Sequence, residues 1–229
     1  MDVLILVGGK GARLHSVVND RPKPMADING HPFLNKLIEY VSSFGNNRII
    51  LCAGHMAEYL IEYYNDQELP IEIVFSVEDI PLGTGGAIKN AEKYIRSDDF
   101  LVMNGDSFCP VNLNDLTSFH YMKNAQISMA VAKVNNVKDY GLIRFNTSRK
   151  ILSFEEKKHS DENGYINTGI YIFNKSILRD IPPNTNYSLE DDFFPSVLEK
   201  RFFAYIVENE VLDIGTPERY NFAKKYFSV

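Results

Sequence analysis

Cysteine is scarce in this chain. Among 229 residues there are two, Cys52 and Cys109, and they form no C-x-x-C pair. That leaves no zinc knuckle and no redox dithiol, and it points to two free thiols in a reducing compartment. Glycine and proline, 14 and 10 residues, are too few for collagen-like or low-complexity chains. Long apolar runs are missing. The first, Val3 to Val7, is too short for a signal-peptide core and lacks a basic start. Nothing approaches the ~20 residues of a membrane span, so a cytoplasmic protein is expected. Basic residues are outnumbered, 24 Lys and Arg against 30 Asp and Glu, a net charge of −6. Broad binding to nucleic acid or to an anionic membrane needs a basic face and is excluded on that count. The histidines (His15, His31, His55, His120 and His159) show no metal-ligand spacing, and no Ser/His/Asp or Cys/His system is evident.

What is present is an ordinary globular composition, 45% apolar and 24% charged, long enough to bury a core without metal or disulfide. Charge is uneven along the chain. Residues 1–25 carry Lys10, Arg13, Arg21 and Lys23 against Asp2 and Asp20, a net +2, which leaves −8 for the remainder. A local basic segment in an acidic protein suits a phosphorylated small molecule.

The first half alternates strand and helix. Residues 3–7 form an apolar run ending in glycines, as a strand buried on both faces would. Helical spacing at 32–44, a strand at 49–51, a helix at 56–64, a strand at 71–77, a helix at 86–96 and a strand at 100–103 follow. That order predicts a mostly parallel sheet covered by helices. Beyond residue 110, strands at 126–134, 141–145, 151–154, 165–173 and 202–207 dominate, with helices at 113–123, 188–200 and 217–226. Ser188 to Asp191 has capping-box form, and Thr216-Pro217 reads as an N-cap followed by an N1 proline. No linker or repeat separates the halves. The expectation is one α/β domain over 1–229 in two halves, 1–110 and 111–229, the second extending the same sheet and building a substrate pocket.

Chemistry concentrates after the first strand, in Gly8-Gly9-Lys10-Gly11-Ala12-Arg13-Leu14 and Arg21-Pro22-Lys23-Pro24-Met25. Glycines here let backbone N–H groups approach a phosphate, and Arg13 and Lys23 add fixed positive charge. Leu14 stands where a dinucleotide fingerprint needs Gly or Ala, and Walker A Gly-Lys-Ser/Thr is absent. Further segments are Pro81-Leu82-Gly83-Thr84-Gly85-Gly86-Ala87, Asn104-Gly105-Asp106, Phe154-Glu155-Glu156-Lys157, Asn167-Thr168-Gly169 and Asp213-Ile214-Gly215-Thr216-Pro217.

Taken together these segments resemble the signature of sugar-1-phosphate nucleotidylyltransferases. The resemblance runs through the whole chain and is strongest to the D-glycero-α-D-manno-heptose 1-phosphate guanylyltransferases. One departure is Ala12, where many members have Thr; a hydroxyl contact to phosphate is lost there. The resemblance implies an α/β, Rossmann-like fold, the nucleotide-diphospho-sugar transferase fold, with a mostly parallel central sheet flanked by helices. It implies Arg13, Lys23 and Asp106 as catalytic groups, and Leu6, Gly8, Gly9, Gly11, Gly83, Thr84 and Gly85 at the nucleotide. Glu78 is a candidate reader of guanine N1–H and N2–H, with an exposed loop carboxylate as the plain alternative. Gly141, Glu156, Lys157, Asn167 and Gly169 are implied at the sugar phosphate, and Asp106 with Asp213 as ligands of Mg²⁺.

The implied partners are a nucleoside triphosphate and a sugar 1-phosphate, with no nucleic acid, no membrane and a possible homodimer. The implied product feeds a capsule or lipopolysaccharide. Two alternatives stay open on the sequence. One is the same chemistry with UTP, dTTP or CTP and another sugar phosphate or phospho-amino-alcohol. The other is a non-enzymatic nucleotide-sugar sensor.

Overall fold

A computed structural model describes residues 1–9, 11, 13–135, 141–155 and 163–228. Its centre is a nine-stranded sheet. The strands are β1 (Asp2–Leu6), β2 (Arg48–Ala53), β3 (Glu72–Val77), β4 (Asp99–Asn104), β5 (Ile127–Val134), β6 (Leu142–Phe145), β7 (Ile151–Glu155), β8 (Gly164–Asn174) and β9 (Phe202–Val207). Strands β3, β2, β1 and β4 lie side by side in that order and are parallel. The crossover from β3 to β4 passes back over β1, so the strand order reverses between β1 and β4. In an open α/β sheet a ligand crevice opens outside the carboxyl ends of the strands at such a point.

Helices α1 (Phe33–Ser42), α2 (Ala57–Asn65), α3 (Gly83–Asn90), α4 (Leu113–Met122) and α5 (Pro217–Tyr226) cover both faces. Alternation along β1 explains the two layers. Val3 and Ile5 join Leu34, Leu37, Leu60 and Leu116 on one face. Leu4 joins Ile88, Phe173, Phe193 and Phe194 on the other. Strand β1 is buried on both sides, which is why it reads as an unbroken apolar run. No helix among the described residues is long and apolar enough to cross a membrane. Cys52 and Cys109 are unpaired and buried, and burial pushes both thiols up to about 12.

The second half extends the same sheet through β8, antiparallel to β4, β5 and β6. Its pairing with β5 slips between Asn167 and Tyr171. Gly169 sits in that bulge at φ +78°, a conformation that favours glycine.

Two expected helices differ in extent. The stretch expected at 86–96 starts earlier, at Gly83, and ends as a 3₁₀ turn over Ala91–Tyr94. The helix expected over 188–200 is a π-helical turn, Leu189–Phe193, followed by only Phe194–Ser196 in α form. Pro195 has no N–H to continue a helix. Ser188 does cap the turn, accepting from the Asp191 N–H at 3.1 Å. The reciprocal acceptor for the Ser188 N–H is Asp192 at 2.7 Å rather than Asp191, one residue further along the wider turn. Thr216 caps α5 as expected, with Pro217 in the first turn.

Candidate active site

A cavity of about 720 Å³ opens over the carboxyl ends of β1 and β4. Its floor is the chain leaving β1. Leu6, Gly8, Gly9 and Gly11 line it, and the N–H groups of Gly8, Gly9 and Gly11 donate to no other described residue. Backbone donors left free in a cleft are the raw material of an anion cradle. Gly11 has φ +60°, and a Cβ there would stand 2.9 Å from the Lys23 Cβ. The glycine thus lets the loop close against the lysine.

Lys23 is fixed by its neighbours. Pro22 and Pro24 restrict the backbone on either side, and a 3₁₀ turn with Met25 buried anchors it. Leu14, 1% exposed, pins the other end of the loop in the core. Lys23 Nζ donates to Asp106 Oδ2 at 2.6 Å, with the lysine side chain 10% exposed. Arg13 reaches the same place from across the loop. A point built as Cβ on Gly215 lies 3.6 Å from both Arg13 Nη2 and Lys23 Nζ.

Asp106 follows Gly105 at the end of β4. The Gly105 N–H donates to the Leu6 carbonyl at 2.9 Å. A Cβ on Gly105 would fall 2.5 Å from that oxygen and 2.8 Å from Val7 Cγ1. Glycine is therefore what lets β1 and β4 end side by side. Gly105→Ala should lose about 1–3 kcal/mol of stability, the scale for forced overpacking, and also turnover, because Asp106 is carried on the displaced turn. Urea unfolding and an activity assay on the same preparation check this, and wild-type values in both would contradict it.

Asp213 approaches Asp106 through a two-residue antiparallel ribbon. Leu212 and Asp213 pair with Phe108 and Ser107, and the Ile214 N–H donates to the Asp106 carbonyl at 3.0 Å. Asp213 Oδ1 accepts from the Gly215 N–H at 2.8 Å, and Oδ2 accepts from Arg219 Nη1 at 2.8 Å. No cluster of three or more His, Cys, Asp or Glu side chains suited to a metal occurs among the described residues. Two carboxylates are enough for Mg²⁺, which takes few protein oxygens and completes its shell with phosphate and water. Asp106 Oδ1 engages no described residue. The donor set fits that ion.

On the far wall, Glu78 lies against bare backbone. Its Oε1 would be 2.3 Å from a Cβ on Gly54 and 3.2 Å from one on Gly8. Its Oε2 accepts from the Leu82 N–H at 3.2 Å. Burial raises the Glu78 carboxyl above the usual glutamate value, and the Leu82 hydrogen bond opposes this. The glycines of the next loop make room for another segment of the chain. Gly85 and Gly86 donate to the Tyr187 carbonyl at 2.8 and 3.1 Å, and the Tyr187 N–H returns a bond to Leu82. A Cβ on Gly83, Gly85 or Gly86 would run into the segment Thr185–Tyr187 at 2.5–3.0 Å. These glycines pack α3 against that strap, and two of its first-turn donors are already used. Gly83 and Thr84 still line the cavity, whereas Gly85 does not.

Of the sugar-side residues expected, Gly141, Asn167 and Gly169 do not line this cavity, and Gly169 packs on Asn104, which does. Asn167 accepts from the Gly169 N–H at 2.9 Å and donates to the buried Tyr171 hydroxyl at 2.6 Å. Its amide builds the bulge, and both ends of it are used within β8. A Cβ on Gly169 would stand 2.7 Å from Asn104 Nδ2, so the bulge rests on the end of β4, two residues from Asp106. Gly141 is exposed and precedes Leu142, the partner of Ile166, which sets it at the same end of the sheet as Asn167. Glu156 and Lys157 lie outside the described residues.

A family model described as nucleotidyl transferase matches residues 2–227. The chain belongs to the nucleotidyl transferase family. Its relatives include the D-glycero-alpha-D-manno-heptose 1-phosphate guanylyltransferase of Campylobacter jejuni, 36% identical over 96% of this chain and 97% of the relative. The protein of the same name from Aneurinibacillus thermoaerophilus is also 36% identical, over 98% and 97%. Among solved structures, HddC from Yersinia pseudotuberculosis complexed with GMP-PN superposes with a TM-score of 0.89 at 38% identity, covering 99% of each chain.

In this nucleotidyl transferase the site also includes residues to which motif reading gave no role. Gly54 and His55, after β2, line the cavity, and the His55 N–H donates to the Gly8 carbonyl at 3.3 Å. Asn104 closes the wall under Gly169. Glu190 accepts from Thr84 Oγ1 at 3.1 Å and from Ser188, tying the first turn of α3 to the π-turn, and burial raises its carboxyl. Its sequence signal was ambiguous, because an acid in the first turn after a capping serine is ordinary helix chemistry. Arg219 had no motif signal.

Proposed function

We propose that the chain transfers GMP from GTP to D-glycero-α-D-manno-heptose 1-phosphate, giving the GDP-sugar and pyrophosphate. The observation that carries this reading is the convergence of Arg13, Lys23 and two carboxylates at Gly215, beside glycine N–H groups that donate to no other described residue. Similarity to guanylyltransferases over nearly the full length of both chains supports the choice of base and sugar.

The attacking group is a sugar phosphate oxygen, already anionic near neutral pH, so no general base is needed. What must be overcome is repulsion between two polyanions and misalignment for in-line attack at the α-phosphorus. Positioning and charge stabilisation address both. Arg13 steadies the departing pyrophosphate. Lys23 offsets charge at the α-phosphate and the incoming phosphate. Asp106 and Asp213 would hold Mg²⁺, which supplies Lewis-acid stabilisation of the phosphoryl oxygens. The N–H groups of Gly8, Gly9 and Gly11 cradle the triphosphate. Gly141, Glu156, Lys157, Asn167 and Gly169 make the sugar side. The reaction would take place in the cytoplasm and supply capsule or lipopolysaccharide assembly.

Glu78 reads the base in this account. Its carboxylate can accept from guanine N1–H and N2–H together, and its raised pKa means that the acceptor is lost on acidification at a higher pH than an ordinary glutamate would show. Glu78→Gln should cut the preference for GTP over ATP about 10-fold to 100-fold, the value of a charge-assisted pair of ~1.5–3 kcal/mol. Pyrophosphate release with GTP, ATP, CTP, UTP and dTTP, each with heptose, mannose and glucose 1-phosphates, tests the reading. Release confined to GTP with the heptose phosphate is expected. Release with a different pair would replace the substrate assignment, and none with any pair would overturn the reading.

A further inference from the structure

We propose that Asn104 reads the ribose of the bound nucleotide by hydrogen-bonding one of its two hydroxyls, and so sets a preference for a ribonucleotide over its deoxy form. The inference deepens the proposed function and rests on its placement of a nucleoside triphosphate in the cavity.

Asn104 is the last residue of β4 and lines the cavity two positions before Asp106. Its amide is uncommitted at both ends. Oδ1 is covered and accepts from nothing. Nδ2 donates to no described residue and, unlike Oδ1, is not shut off from solvent. A half-buried amide without hydrogen bonds is costly unless something supplies them. Packing holds it in that state. A Cβ on Gly169 would fall 2.7 Å from Nδ2 and 2.9 Å from Cγ, so the glycine of the bulge lies directly against the amide. The neighbours of Asn104 on its own face of the sheet are apolar: Leu6, its pairing partner on β1, and Val102, two residues back.

Position selects the ligand group. The strands run β3, β2, β1, β4 across the sheet. A nucleotide with its base at Glu78, just beyond β3, and its α-phosphorus at Lys23 and Asp106, just beyond β4, lays its ribose over the strand ends between. Leu6, Cys52, Thr84, Ala87 and Asn104 line that stretch. Leucine and alanine side chains have no hydrogen-bonding group, and a thiol is a weak one. Thr84 Oγ1 is spent, donating to Glu190 at 3.1 Å and accepting from the Leu189 N–H at 2.7 Å. Asn104 is the remaining amide. A hydroxyl suits it, being neutral beside the Asp106 carboxylate and able to accept from Nδ2. The phosphates have Arg13, Lys23 and the glycine loop.

The plain alternative is that Asn104 only props the bulge at Gly169. A prop would affect every nucleotide alike, whereas a ribose contact is lost with one hydroxyl. Asn104 is thus a specificity residue, and its readout is a ratio rather than a rate.

Pyrophosphate release with heptose 1-phosphate, from GTP, 2′-deoxy-GTP and 3′-deoxy-GTP, tests this. In wild-type protein kcat/KM should be about tenfold lower for one of the two deoxy forms, the worth of one hydrogen bond. Asn104→Leu, similar in volume and without polar atoms, should bring GTP down toward that level, so that the ratio falls to near one. Asn104→Ala should do the same should the leucine variant fold poorly. No discrimination in wild type, or discrimination that persists in the variants, would overturn the role of Asn104 alone. Equal losses with all three nucleotides would reduce Asn104 to a prop, and a raised KM for heptose 1-phosphate with the ratio intact would move its contact to the acceptor; either overturns the inference. Absence of release from GTP in wild type would overturn the proposed function and this inference with it.

Discussion

Replacing Lys23 or Arg13 by alanine should lower turnover by roughly 10²–10³-fold each, the scale for removing one preorganised donor to developing charge. Stability should change little. Lys23 makes a single salt bridge to a carboxylate whose side chain is 44% exposed, and such a half-open pair contributes about 1 kcal/mol or less. The double variant should fall short of the product of the two losses, because both cations converge on one point beside Gly215 and neighbouring groups are not additive. A continuous pyrophosphate assay, with thermal unfolding on the same samples, measures both quantities. Near-normal kcat in either single variant would remove that residue from the mechanism.

Asp106→Asn should be more damaging, about 10³-fold in turnover, the upper end of the same scale. The substitution preserves shape but removes a carboxylate that does two jobs. Under the proposed function it would hold the divalent ion, and it fixes the Lys23 ammonium at 2.6 Å. Asp106 lines the cavity directly, whereas Asp213 stands behind Gly215 with both oxygens engaged. The Mg²⁺ concentration for half-maximal rate should therefore rise more in Asp106→Asn than in Asp213→Asn. Titration of Mg²⁺ at fixed substrate separates the two. Equal Mg²⁺ dependence in Asp106→Asn and wild type would contradict a ligand role.

Much of the fold was legible because its strongest signals are local. The apolar run of β1, the glycines after it and the helix-period stripe of α1 each follow from side chains within a few residues. The same holds for Thr216-Pro217. What could not be read arises from pairing between distant segments. Gly83, Gly85 and Gly86 carry no local signal of what they pack against, and their shape is dictated by the segment ending at Tyr187, about a hundred residues away. The bulge at Gly169 depends on slippage against β5 and on Asn104 beneath it. Glu78 as a loop carboxylate carries no pattern, and only its seat on Gly8 and Gly54 sets it in the cavity wall. The helix expected over 188–200 is cut short for a local reason, Pro195, which interrupts an otherwise helical apolar stripe.

In the proposed reaction a sugar phosphate oxygen attacks the α-phosphorus of GTP and expels pyrophosphate. Labelling the phosphate oxygens of the heptose 1-phosphate with oxygen-18 tests it at the level of the bond. The GDP-sugar should carry the label on its sugar-side phosphate and in the oxygen bridging the two phosphorus atoms, and the released pyrophosphate should be unlabelled. Label in pyrophosphate, or hydrolysis of GTP without a labelled GDP-sugar, would contradict it.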